Sequence, residues 1–162
     1  MKTKNTPAEL NDYLFEILDQ AKNGISITDP NQEDNPLIYV NQSFTDLFGY
    51  EFDEVIGKNC RFLQGEDRNQ IALPMIRNAI DKQISVTAVL RNYSKSGRLI
   101  YNEIMISPIF EKNTKNIKYF LGVQKDVTKE QTILQNLKRF SDLEQFRIFG
   151  KVIGKVGGGL RS

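Results

Sequence analysis

The sequence predicts an α+β domain, a five-stranded antiparallel sheet with helices on one face and a further helix flanking it at each end. Three observations carry this. Five apolar or alternating runs are each bounded by turn chemistry. A glycine-punctuated helical stretch lies between the second run and the third. Amphipathic segments precede the first run and follow the last.

Thr6-Pro7-Ala8-Glu9 is a capping box with proline at the first helical position, and Leu10, Tyr13, Leu14, Ile17, Leu18 and Ala21 follow on one helical face. Asn23-Gly24 ends that helix, so residues 1–23 read as an amphipathic cap. Ile25–Thr28 and Leu37–Val40 are short strands separated by Asp29-Pro30 and Asp34-Asn35-Pro36. Short helical pieces punctuated by Gly49, Gly57 and Gly65 come next. Asp67–Lys82 then reads as a helix with Ile71, Met75 or Ile76, and Ala79 or Ile80 inward; Pro74 should delay its start or kink it. Ile84–Tyr93, Arg98–Phe110 and Ile117–Val127 complete the sheet, the first two joined by a hairpin turn at Ser94–Gly97. The sheet domain is thus placed at residues 24–127 and a helical extension at 128–162. In that extension apolar residues recur every three positions from Leu134 to Phe149, a spacing that drifts about 60° per step around a helix. With a second capping box at Ser141–Glu144, this predicts two helices broken near Ser141, then a frayed Gly-rich end from Lys151.

Composition removes most catalytic readings. The chain has no histidine, so a Ser-His-Asp or Cys-His pair, a proximal haem ligand and a histidine phosphoacceptor are all excluded. No P-loop or dinucleotide-binding glycine pattern occurs. The net charge is +2 with basic residues dispersed among acids, which gives no support for a nucleic-acid partner. No apolar run reaches the roughly 20 residues of a membrane span, and no signal-peptide pattern opens the chain, so the expectation is a cytoplasmic protein without a membrane partner.

Residues 57–65 read Gly-Lys-Asn-Cys-Arg-Phe-Leu-Gln-Gly, centred on Cys60, the only cysteine. A single thiol makes neither an intrachain disulfide nor a cysteine-based zinc site, so its chemistry is that of one nucleophile or addition partner. The strands hold a second anomaly. Residues of one parity share a face, and the row Val86, Ala88, Leu90 continues to Asn92, Ile100 and Ile104 flank Asn102, and Phe120, Gly122 and Gln124 share a parity. Each buried amide left unpaired costs about 1–3 kcal/mol. Either Asn92 and Asn102 pair across strands or face solvent on an edge, or a planar ligand with alternating C=O and N–H groups satisfies the row. In the second case Gln64 adds another amide, Gly122 leaves room, and Ile25, Ile27, Leu63, Leu90, Ile104, Ile106 and Phe120 sandwich the rings.

The motif at 57–65 resembles the signature of the LOV (light-oxygen-voltage) branch of PAS domains. The resemblance extends through Ile25–Pro30, Leu37–Val40, Arg91-Asn92-Tyr93, Lys95-Ser96-Gly97, Tyr101-Asn102-Glu103 and Gly122-Val123-Gln124, covering about residues 24–127. It implies the PAS fold and flavin mononucleotide (FMN), held noncovalently in the dark. It also implies that blue light drives the Cys60 thiol to add reversibly to flavin carbon C4a while N5 is protonated. Asn92 and Asn102 match positions on the pyrimidine edge, Gln124 the glutamine near N5 and O4, Gln64 a ring-contacting glutamine, and Asn59 a residue beside the ribityl chain. Arg61 and Arg77 match the phosphate-pairing arginines, whose planar forks suit the task.

Two positions depart from the family pattern. Tyr101 stands where many relatives carry Trp, and Ser26 is polar where plant-type members carry an apolar residue near the reactive cysteine. The expected signal route runs from Gln124 through the last strand into the flanking helices. Those helices suggest a homodimer, a protein partner or an effector on a longer chain, in a sensory module that is not itself an enzyme. The competing readings are a light-insensitive PAS module for dimerisation or small ligands, and a flavin redox sensor in which Cys60 is oxidised.

Overall fold

The computed structural model describes residue 10 and residues 12–156. The capping box at Thr6–Glu9 and the glycines at 157–159 lie outside the described residues. Two compact units divide at Val127/Thr128.

The first unit holds a short helix α1 (Leu14–Asp19), strands β1 (Gly24–Thr28) and β2 (Leu37–Val40), and helices α2 (Gln42–Phe48) and α3 (Phe52–Val55). A 3-10 turn (Cys60–Gln64), helix α4 (Ala72–Asp81) and strands β3 (Val86–Tyr93), β4 (Leu99–Phe110) and β5 (Ile117–Asp126) follow. The sheet order is β2-β1-β5-β4-β3, and every neighbouring pair is antiparallel. This is the expected α+β architecture. The β3–β4 hairpin closes at Ser94–Gly97, where Gly97 takes φ +84° and its N–H bonds to the Ser94 carbonyl.

Two clusters make the core. Leu37, Val40, Phe44, Phe48, Val55, Leu63 and Ile100 pack on one side, with Cys60 against them. Leu73 and Ile76 of α4 meet Leu90 and Ile104 of the sheet on the other. Here α4 takes the delayed start expected of Pro74, and corrects the boundary and the inward phase. It begins at Ala72 instead of Asp67, and Pro74 occupies its first turn, where a missing N–H is tolerated. The later start changes the inward phase to Leu73, Ile76 and Ala79, while Ile71 and Met75 face solvent.

Asn41 ties the N-terminal segment to the sheet. Its Oδ1 accepts from the Ile25 and Phe44 amides, and its Nδ2 donates to the Leu18 and Asn23 carbonyls. Asp19 accepts from the Gln42 amide, and the Ser43 hydroxyl donates to the Ala21 carbonyl. The α1 stripe is not buried as its periodicity suggested: Tyr13, Leu14 and Ile17 are exposed.

The second unit is one helix, α5 (Thr128–Val156). The expected break near Ser141 does not occur. No Gly or Pro interrupts residues 128–149, and a capping box can start a helix only where the preceding one has ended. The winding apolar row is exposed along its length, including Leu134, Leu137, Phe140, Leu143, Phe146 and Phe149. No helix among the described residues is long and apolar enough to cross a membrane.

Candidate functional site

Between the sheet and the helical layer lies a cavity of about 620 Å³. Its floor is the sheet. Leu90 and Asn92 reach it from β3, Asn102, Ile104 and Ile106 from β4, and Phe120 and Gly122 from β5. The opposite wall comes from Asn59, Cys60, Arg61, Leu63 and Gln64 in and beside the 3-10 turn, and from Arg77 on α4. All thirteen of these residues were expected at the site from the sequence.

Three others need comment. Ile25 and Ile27 were expected in the cavity and are not there. Ser26 and Thr28 line it instead, because β1 turns its buried parity, Gly24, Ser26 and Thr28, toward the helices. The isoleucines therefore belong to the other face of the sheet. Gln124 is on the correct parity and 2% exposed, but it is not itself among the lining residues; its Nε2 donates to Ser26 Oγ at 2.9 Å.

The floor amides are only partly satisfied. Asn102 Nδ2 donates to Asn92 Oδ1 at 2.9 Å, and Asn92 Nδ2 donates to the Arg91 carbonyl at 3.2 Å. Cross-strand pairing, one of the two alternatives the sequence left open, therefore exists. Among the described residues, Asn102 Oδ1, Gln124 Oε1, Asn35 Oδ1 and Thr28 Oγ1 are nonetheless buried without a partner. The three unpaired amide atoms are all acceptors, so a donor is the missing complement.

Asn59 organises the 3-10 turn. Its Oδ1 accepts from the Arg61 amide at 3.0 Å, and its Nδ2 donates to the Asp34 carbonyl at 2.7 Å. Cys60 is half-buried in the cavity wall, and burial pushes its thiol up to about 12, against a small opposing pull from its own backbone amide and Arg61. At neutral pH it is a neutral thiol.

The mouth is charged. Arg61 grips Asp34 with both fork nitrogens, each at 2.6 Å, and that hydrogen-bonded pairing holds the Asp34 carboxyl below its ordinary range. Arg77 makes no ion pair among the described residues. Sequence reasoning missed Arg68, Thr28, Leu73, Ile76 and Ile80, which also line the cavity. Parity from Ser26 would have found Thr28, and the i, i+3, i+7 spacing of Leu73, Ile76 and Ile80 would have found the α4 face. Nothing in the sequence marked Arg68. The loop carrying it is fastened to edge strand β3, where Arg91 holds Asp67 at 2.6 and 2.8 Å and Gln70 brackets the Arg91 backbone through its N–H and C=O.

Residues 22–129 match the PAS domain family. The LOV domain of the EL346 blue-light activated histidine kinase from Erythrobacter litoralis superposes with a TM-score of 0.62 at 35% identity, covering 67% of this chain and 98% of that domain. The chain belongs to the LOV branch of the PAS family. Among the relatives of this LOV chain, a blue-light photoreceptor of Listeria innocua is 40% identical over 128 residues, 79% of this chain and 50% of the relative. The chain thus spans about half the length of the first curated relatives it matches. The structure of an RNA-binding light-oxygen-voltage receptor matches with a TM-score of 0.80 at 32% identity, over 91% of this chain and 41% of that one. That relative's name states RNA binding, so the expectation drawn from charge, that nucleic acid is not a partner, gains no support from the comparisons.

Proposed function

We propose that this LOV chain is a blue-light photosensory module that binds FMN and signals through its flanking helices. The observation that carries the reading is the unpaired Asn102 Oδ1 on the floor of a cavity whose opposite wall holds Cys60. An orphaned, buried acceptor fits a ring edge carrying an N–H between two carbonyls, with Asn92 Nδ2 and Gln64 available as donors. Leu63, Leu90, Ile104, Ile106 and Phe120 supply the apolar walls for a planar ring system. Arg61 and Arg77 suit the phosphate, Arg77 directly and Arg61 by sharing or exchanging its Asp34 contact.

When bound, FMN supplies a blue-absorbing ring that accepts a thiol at C4a under illumination and takes the proton at N5. The protein's part is to hold the Cys60 sulfur in the wall as a neutral thiol carrying that proton, opposite a floor on which apolar side chains flank the Asn92–Asn102 pair. Gln124 is the transducer. Its amide offers a donor and an acceptor at opposite corners, so a change of protonation beside it favours a turned amide. β5 continues through Asp126 and Val127 directly into the helix that begins at Thr128.

The redox-sensor reading requires a readily oxidised thiolate, and a thiol pushed up to about 12 provides almost none at neutral pH. Output through a second copy of the chain is the partner reading that the exposed apolar rows of α1 and α5 favour. A cytoplasmic, sensory and non-enzymatic role goes with this proposal.

The purified protein should be yellow and release one FMN on denaturation, identified by chromatography. A colourless protein that fails to take up added FMN overturns the reading. Gln124→Leu should still bleach in blue light but transmit a much reduced light-induced change in helix content. An undiminished change in that variant would remove Gln124 from the route.

A further inference from the structure

We propose that Ser26 is a positioning residue for Gln124: its hydroxyl selects which way the glutamine amide faces, and thereby sets how long the lit state lasts. The proposal rests on the reading of Gln124 as the transducer and deepens it. Ser26 on β1 and Gln124 on β5 are 3% and 2% exposed, on adjacent strands. Their bond, Gln124 Nε2 donating to Ser26 Oγ at 2.9 Å, is the one side-chain partner that the amide has among the described residues.

Gly122 makes this contact possible. It is the register partner of Ser26. A Cβ there would stand 2.5 Å from Ser26 Oγ and 2.9 Å from Gln124 Nε2, so any side chain would displace one of them. Ser26 and Gly122 both line the cavity, and the Ser26 hydroxyl holds the amide of Gln124 beside it.

The hydroxyl accepts from Nε2 in the orientation observed, and that bond weights the amide toward this orientation. In the observed orientation, Gln124 Oε1 is buried and unpartnered, 3.3 Å from where a Cβ on Gly24 would stand. That leaves the bond to Ser26 as what holds the amide, and a new donor in the cavity would draw Oε1 toward it. Alanine at position 26 removes the hold on the observed orientation, without adding bulk beside Gly122. Threonine keeps the hydroxyl.

The test uses the full chain loaded with FMN, as wild type, Ser26→Ala and Ser26→Thr. Recovery of blue absorbance is timed in darkness, and the Gln124 side-chain amide is observed by 15N–1H NMR before illumination. Ser26→Ala should recover about fivefold more slowly, roughly the worth of one net hydrogen bond, and show a shifted, less protected Gln124 amide. Ser26→Thr should keep the wild-type amide signal and recover within about twofold of wild type, as its retained hydrogen bond requires. If Ser26→Ala leaves the amide signal in place, or if Ser26→Thr behaves like Ser26→Ala, the positioning role is overturned while the photosensor reading stands. A wild-type protein that never bleaches overturns that reading and this proposal together.

Discussion

The floor and the mouth of the cavity are polar in different ways. On the floor, Asn92 and Asn102 are 3% and 1% exposed, fixed on strands, and one acceptor has no partner. At the mouth, the Arg61 side chain is 49% exposed, its fork already occupied by an equally exposed aspartate. A buried orphan imposes a desolvation cost of about 1–3 kcal/mol that only a matching donor removes. An exposed ion pair is worth about 0–1 kcal/mol and is screened by salt. Under the proposed FMN reading, the floor would determine which ring system is accepted, whereas the mouth would adjust how well a phosphate tail is retained.

The sharpest way to break this comparison is to make the floor apolar. The double variant Asn92→Leu/Asn102→Leu should lose about a hundredfold or more in affinity for FMN and riboflavin alike, because two edge contacts disappear. The flavin-free protein should be no less stable, since an internal pair and an orphan leave together. Titration calorimetry and denaturant unfolding check the two halves; an unstable free protein would mean the amides serve the fold. Arg77→Ala should have a smaller effect, about tenfold or less on FMN, weakening further with salt and absent for riboflavin. An equal loss for both flavins would place Arg77 against the ring instead.

A third effect is absent at neutral pH and tests whether the wall that holds Cys60 is dry. The folded protein keeps the Cys60 proton up to about pH 12, whereas the unfolded chain releases it near 9.0. Above the unfolded value the unfolded state binds fewer protons, so the stabilising contribution is complete below pH 9.0 and is lost as pH rises toward about 12. Flavin-free wild type should therefore lose stability across that window, and Cys60→Ala should lack this part of the slope. Matching slopes would show a solvated thiol.

The sheet and most of the site could be read before the structure because burial writes them into parity. Asn92, Asn102 and Gln124 broke apolar rows on strands whose opposite faces are less demanding, and the inward face was correctly inferred from those rows. The same rule failed on β1. Its inward residues, Ser26 and Thr28, line the cavity and are polar, so the apolar Ile25 and Ile27 were assigned to the wrong side. The start of α4 was obscured because Ile71 suits a helical stripe, whereas Pro74 in the first turn fixes a later phase. The ion pair of Arg61 with Asp34 joins residues far apart in sequence, across a turn with Asp34 at φ +65°, and no local pattern announces it. The continuity of α5 went unread for a different reason. Its apolar row winds round the helix, and a winding row breaks a pattern without breaking a backbone.

The central claim joins both sides of the cavity, since a thiol in the wall must meet a ring held by the floor. Blue absorbance followed under illumination and then in darkness, for wild type and Cys60→Ala side by side, tests that claim most directly. The account predicts that both proteins bind FMN, that only the wild type bleaches under blue light, and that its absorbance returns in darkness. Bleaching that persists in Cys60→Ala, or FMN-loaded wild type that does not respond to light, would contradict it.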